Sequence, residues 1–249
     1  MSTPVPLKND THAKLRVIES GDYTRHKEQH LIPIISQDFF VLTAEFPLVF
    51  VKDSNGESFV PVAIMGLREN QNLYCQTEQW KAQVVPARFH NPPFQLSMAD
   101  EKGEQFVLLI DEESPMVSET EGTALFKEGG EKSEYLEKRI ETLLNTAQQT
   151  VQTGNICKLF ADKDLLSTKQ LQLQHRPDAP RYNIDGIYTI DEQKLNALSD
   201  EDFLELRKLG LIPLIYAHLS SLQQLRRLSE MQYEADKANG ITAQAQSES

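Results

Sequence analysis

A chain of 249 residues with 39% hydrophobic content can bury a sizeable core, as one large domain or two small ones. Its formal net charge of −12, with a pI near 5.0, sets it against a nucleic-acid phosphate backbone, so no nucleic-acid partner is expected. The imbalance is local: Asp100 to Glu141 holds thirteen acidic and five basic residues, a net of −8, and reads as a solvated face that serves solubility or docks a basic partner.

The opening "MSTPVPLKND" has no apolar core that could serve as a signal peptide. No run reaches the roughly 18 apolar residues needed to span a bilayer, so no integral membrane insertion is expected and the location predicted is cytoplasmic. The first thirty residues are polar and mixed and end in "HKEQH". Pro47 breaks any helix begun near Phe39, and "LVFV" reads as a strand. The turn at Asn55-Gly56 is a hairpin signal into "FVPVAIM", a strand that Gly66 should end. "QNLYCQ", "QVVPARF" and "EQFVLLID" read as further strands.

After Gly129-Gly130 the period changes from that of a strand to that of a helix. Ser133 caps a run in which Leu136, Ile140, Leu143, Leu144, Ala147 and Val151 follow helical spacing, and a second short helix is predicted over Ile156 to Leu166. "LQLQH" and "NIDGIYTI" look extended. "SDEDFLELRKLG" starts at a Ser199 cap, carries acids in its first turn and stops at Gly210. A last helix is predicted from Leu209 to about Ala235, and the polar tail from Asn239 is expected to be disordered.

The fold class expected is α+β, an antiparallel sheet from the N-terminal half packed by C-terminal helices, with "DGIYTI" returning to the sheet. The organisation expected is a polar segment over residues 1–30, one α+β domain over 31–236 and a tail over 237–249. Cys75 and Cys157 have apolar neighbours and read as buried free thiols.

His218 has Leu211, Leu214, Ile215, Leu222 and Leu225 at helical offsets, so it faces the core. Leucines there are packing material, and the favoured reading is a neutral core histidine with one nitrogen donating to a buried acceptor. His26 and His30 would share a helical face, but they lack a third ligand at useful spacing, and neither a metal nor a cofactor is expected. The most unusual composition is "WKAQVVPARFHNPPF". It gathers Trp80, Arg88, Phe89, His90, Phe94 and three prolines, which suits a ligand-binding loop with Trp80, Arg88 and His90 as contacts. It suits equally a rigid crossover packed on its own domain, which is the favoured reading, with Arg88 answering Glu45 or Asp111. No G-x-S-x-G elbow, phosphate-cradling loop, G-x-G-x-x-G or C-x-x-C is present.

In their order, "EFPLVF", "FVPVAIMGL", "NLYCQ" and a tryptophan leading into "VVPARFHNPPF" resemble the SapC family. "EQFVLLID", "ALFKEGGEKSEYL" and "DGIYTIDEQKLNALSDEDFLELRKLGLIPLIYAHLSSLQQLRRL" do so too, and the resemblance runs from about Pro33 to Leu228. One departure falls in the proline loop. The family pattern has an aromatic followed by Pro and Phe after its arginine, whereas this chain reads Arg88-Phe89-His90-Asn91-Pro92-Pro93-Phe94.

The family takes its name from a bacterial surface-layer locus, and is distinct from the membrane-spanning peptide-transporter permease of the same label. Its members are found beside outer-membrane TonB-dependent receptors, flavin-dependent tryptophan-halogenase-like proteins and cupin-like hydroxylases. The resemblance implies a role in surface-layer biogenesis or nutrient uptake, with a protein partner from that neighbourhood, and it brings no reaction and no catalytic residue. Two functions are therefore carried forward. One is a non-catalytic cytoplasmic accessory protein that binds a partner or small ligand. The other is an enzyme modifying amino acids or peptides around the Trp80 to Phe94 loop.

Overall fold

A computed structural model describes residues 3–98, 106–177 and 179–241, so the predicted tail beyond Ile241 lies outside the described residues. The first elements are β1 (Val5–Pro6), α1 (Asn9–His12), β2 (Arg16–Val17), β3 (Leu31–Pro33), α2 (Phe39–Leu42), β4 (Leu48–Lys52) and β5 (Phe59–Ile64). There follow β6 (Phe94–Met98), β7 (Phe106–Ile110), β8 (Val117–Ser118), β9 (Thr123–Ala124), α3 (Glu134–Asp162), β10 (Leu166–Leu173) and β11 (Tyr182–Ile190). The C-terminal helices are α4 (Glu192–Asn196), α5 (Asp200–Lys208), α6 (Ile212–Ser221) and α7 (Gln224–Ala238). The chain is an α+β protein with antiparallel sheets, and it divides into two compact units.

The first unit comprises Met1–Gly21 and Ala87–Thr150. Two three-stranded sheets, in the orders β1-β7-β6 and β8-β2-β9, contribute Val17, Phe94 and Ile110 to a core shared with Leu125, Phe126, Leu136 and Leu143. Ser133 opens α3 as its composition demands: its hydroxyl accepts the Leu136 N–H at 3.2 Å and donates to the Ala124 carbonyl at 2.7 Å.

The second unit comprises Asp22–Pro86 and Val151–Ser249. Its sheet runs β10-β11-β4-β5-β3, antiparallel throughout. The predicted hairpin joins β4 to β5, with Gly56 at φ +73° in the turn. Leu48, Val49 and Phe50 of β4 are all buried, which explains why this strand reads as a continuous apolar run: both of its faces are covered. Tyr188 of β11 pairs with Phe50, so "DGIYTI" does return to the sheet.

α6 packs on β4 and β11 with α2 beside it. His218 of α6 is fully buried against Phe50, with ring centroids 5.1 Å apart. Its Nε2 accepts the Ile190 N–H at 3.1 Å, at the end of β11. One turn further on, Ser221 Oγ accepts the Leu48 N–H at 3.0 Å, at the start of β4.

Four stretches differ from expectation. The stretches "QNLYCQ" and "QVVPARF" are turns, not strands. Asn72 folds its carboxamide back to accept the Tyr74 N–H at 3.0 Å, and its own N–H goes to the Lys27 carbonyl at 2.7 Å. Gly66 enables that path, since a Cβ there would fall 1.8 Å from the Gln71 carbonyl oxygen. The two helices expected between Ser133 and Leu166 are one, which runs through Gly154; a Cβ there would meet nothing within 4 Å, and the glycine costs only helix propensity. The single helix expected to Ala235 is two, broken between Ser221 and Gln224.

The imidazole of His218 is held neutral, its pKa pushed down to about 4 by burial that the Leu48 backbone offsets only in part. It accepts at Nε2, so Nδ1 carries the proton; the donation expected of one nitrogen is directed at the Leu48 backbone and falls short of ordinary hydrogen-bond geometry. The pH dependence follows. Between the ordinary value of 6.5 and about 4, the unfolded chain binds a proton that the folded chain refuses. Stability should therefore fall as pH drops through that window, by about 3 kcal/mol in all. His218→Gln keeps an acceptor for Ile190 and should flatten this slope. His218→Ala strands the N–H and opens a void, costing on the order of 1–3 kcal/mol. Denaturant melts of the three proteins from pH 7 to pH 4 check both effects; an unchanged slope in His218→Gln would exclude this assignment.

Candidate functional site

Trp80 lies in the second unit, half-buried in an aromatic cluster that the sequence does not announce. Its ring meets Tyr23 edge-on with centroids 5.4 Å apart, and Tyr74 and Phe46 at 5.8 and 6.3 Å. The indole N–H donates to the Val84 carbonyl at 2.9 Å, which closes the short loop after the tryptophan. The Tyr74 hydroxyl donates to the Glu45 carbonyl at 3.1 Å, and burial pushes its pKa upward.

The Glu45 carboxylate is itself buried and is paired with Arg227 of α7. Arg227 therefore fills the role the sequence reading offered to Arg88. The correction has a plain cause: the cation comes from a helix 182 residues away, a separation at which pattern carries no signal.

The cation beside these rings is Arg25, its guanidinium 5.6 Å from the centroid of Tyr23. Burial lowers its pKa, against the pull of Tyr23 and Asp22. Arg25 Nε donates to His26 Nε2 at 3.2 Å, which leaves His26 Nδ1 as the donor to Gln29 Oε1 at 3.0 Å. His26 and His30 do not share a helix: His26 ends a short 3-10 turn, and His30 Nδ1 accepts the Asn70 N–H at 3.4 Å. Among the described residues no group of three or more His, Cys, Asp or Glu is placed to hold a metal ion. Cys75 is buried, its thiol pushed up to about 12 by burial, and so is not a ready nucleophile. The cluster is suited to stacking and charge recognition; it offers no nucleophile with its base.

Arg88 and His90 belong to the first unit. Both are exposed, on a 3-10 turn whose buried member is Phe89 between them. The arginine that organises this loop is Arg139 of α3. Its Nη2 donates to the carbonyl oxygens of His90, of Asn91 at 3.3 Å and of Pro92 at 3.5 Å, and its guanidinium lies 5.9 Å from the Phe94 ring centroid. These contacts support the packing reading of the loop, with a different arginine from the one its composition suggests.

The same unit holds a histidine that sequence reasoning passed over. His12 is 3% exposed; its Nδ1 accepts the Lys8 N–H at 2.9 Å and its Nε2 lies 2.9 Å from Glu112 Oε1. Both ring nitrogens are thus committed. Tyr23, Arg25 and His12 all sit in the polar N-terminal stretch, where no apolar periodicity draws attention to them. The one available signal was the local density of ring and charge in "DYTRH".

A family model described as SapC matches residues 7–228, which takes in all of these side chains. No curated protein and no solved structure matches the chain.

If Arg139 holds the proline loop, Arg139→Ala should cost about 1–2 kcal/mol by removing the donor to three exposed or part-buried carbonyls, whereas Arg88→Ala should shift stability by less than about 0.5 kcal/mol. Thermal melts of the two variants decide this. A larger loss from Arg88→Ala would return the organising role to Arg88.

Proposed function

The chain belongs to the SapC family, and we propose that it is a non-catalytic cytoplasmic accessory protein. It binds a partner protein or small ligand in a bacterial surface-layer or outer-membrane uptake system. The observation that carries the reading is an apolar surface on the second unit. α2 buries Phe39 and Leu42 but turns Phe40 and Val41 outward, 59% and 53% exposed. The neighbouring α6 buries Leu214, Ile215 and His218 and leaves Tyr216 46% exposed. Large apolar side chains left outward on two adjacent helices are what a protein-binding face requires.

Membrane insertion is not invoked, since among the described residues no helix is long and apolar enough to cross a bilayer. The gene neighbourhood that the family brings, with TonB-dependent receptors and halogenase-like proteins, is where the partner is sought. Trp80 in the second unit and, separately, Arg88 and His90 in the first stay in this proposal as candidate contacts for a small ligand.

Affinity capture of the full chain from its native host, followed by mass spectrometry, should recover one partner in stoichiometric amount from the cytosolic fraction. The double variant Phe40→Asp with Tyr216→Asp should fold normally, since both side chains are exposed, and lose that partner. Retention of the partner by the folded double variant would refute the proposed surface. Capture only from a carbonate-resistant membrane fraction would refute the location.

A further inference from the structure

The first unit carries a second surface that the proposed function does not use. Leu136 and Leu143 of α3 are buried in that unit's core, which fixes the face that the helix presents. Beside it lies an open groove of about 460 Å³, lined by Ile140 and Leu144 and by Glu137, Glu141, Asn145 and Gln148. Lys132 lines it as well.

On a helix these residues form two adjacent rows at four-residue spacing. One row is Glu137, Glu141 and Asn145; the other is Ile140, Leu144 and Gln148. The first is acidic and the second apolar, and Leu144 is 41% exposed. The neighbouring hydroxyls of Thr142 and Thr146 are turned back onto their own helix carbonyls, each at 2.9 Å.

We propose that the groove is a docking site for a basic amphipathic helix of a partner protein. Charge complementarity sets the sign. The groove is lined by the two carboxylates of Glu137 and Glu141 against the single ammonium of Lys132, and an acidic occupant would desolvate those carboxylates against like charge. The spacing sets the form. An incoming helix repeats its side chains every three or four residues, so its lysines or arginines can meet the acidic row while an apolar side chain covers Ile140 and Leu144. The surface is separate in sequence and chemistry from Phe40 and Tyr216, and neither proposal depends on the other.

The test uses the full chain and a fluorescein-labelled peptide of leucines and lysines patterned as an amphipathic helix, with a scrambled peptide of the same composition beside it. Binding is read by fluorescence anisotropy. The ordered peptide should bind more tightly than the scrambled one, and more weakly as salt is raised. Glu137→Lys with Glu141→Lys should weaken it at least about tenfold, and Leu144→Ser by several-fold. Glu119→Lys with Glu121→Lys makes the same change in net charge at exposed positions elsewhere in the acidic segment and should change affinity less than about twofold. No binding, equal binding of the scrambled peptide, or equal losses from the two charge-reversed pairs would each overturn the proposal. Should the Glu137 and Glu141 pair melt early, Leu144→Ser against the Glu119 and Glu121 pair decides it. The Phe40→Asp and Tyr216→Asp protein should bind the peptide unchanged, which keeps failure here distinct from failure of the proposed function.

Discussion

The sheet of the second unit depends on how α6 satisfies the strand ends that it buries. A backbone N–H sealed from water without an acceptor costs about as much as a lost hydrogen bond. The N–H groups of Ile190 and Leu48 stand at the ends of adjacent strands β11 and β4, under α6. His218 and Ser221 lie three residues apart on that helix and meet one N–H each, while the Ser221 hydroxyl donates to the His218 carbonyl at 2.6 Å. The apolar stripe of α6 supplies the burial. The two polar side chains within it make that burial tolerable, and they fix the helix in one register against the strands. An apolar residue at position 218 would fill the space and leave Ile190 without its acceptor. For that reason a histidine stands there, although its environment disfavours its charged form.

α7 obeys the same constraint with charged groups. Gln232 is fully buried; its Oε1 accepts the Leu67 N–H at 3.1 Å, and its Nε2 reaches Gln71 and Asp236 at 2.8 and 3.0 Å. Asp236 is 1% exposed, pairs with Arg68 at 3.1 Å and accepts the Tyr182 hydroxyl. Arg68 also donates to that hydroxyl at 2.7 and 2.9 Å, and burial with the Asp236 bond pushes the Tyr182 pKa up to about 12. A buried carboxylate with its bonds satisfied specifies geometry more than it adds stability, whereas removing one partner strands the others. α7 thereby fixes the segment from Leu67 to Gln71, which leads into the turns before Trp80. Gln232 and Asp236 lie beyond the stretch matched by the family.

What the sequence discloses follows the range of the forces involved. Local chemistry is legible: the Ser133 and Ser199 caps, the hairpin at Gly56, the stop at Gly210 and the apolar run of β4 are each set by neighbours within a few residues. The strand expected at "QNLYCQ" was illegible because a side chain competing for its own backbone, as Asn72 does, defeats an apolar pattern, and at "QVVPARF" the backbone is met by the side chains of Trp80 and Glu45 instead of a neighbouring strand. Long-range pairing was illegible altogether. Nothing local to Glu45 points to Arg227, and nothing local to His90 points to Arg139. The division into two units, each built from separated segments, leaves no mark on composition either.

The histidines carry the case between accessory protein and enzyme one step further. Proton transfer requires an imidazole nitrogen that can reach a substrate, either free or held by a partner that orients it toward one. His12 has both nitrogens committed, to the Lys8 N–H and to Glu112. His26 has both committed as well, to Arg25 and Gln29. His30 spends Nδ1 on Asn70, and burial lowers its pKa, which disfavours the charged form. His218 is sealed in the core, and His175 stacks on Tyr233 with ring centroids 5.3 Å apart. The thiols are no more available, since burial pushes Cys75 and Cys157 up to about 12. His90 is the one exposed histidine; the other five and both thiols take part in holding the chain in its fold. The side chains turned outward, Phe40, Val41, Leu144 and Tyr216 with the carboxylates of α3, are suited to contact with other molecules.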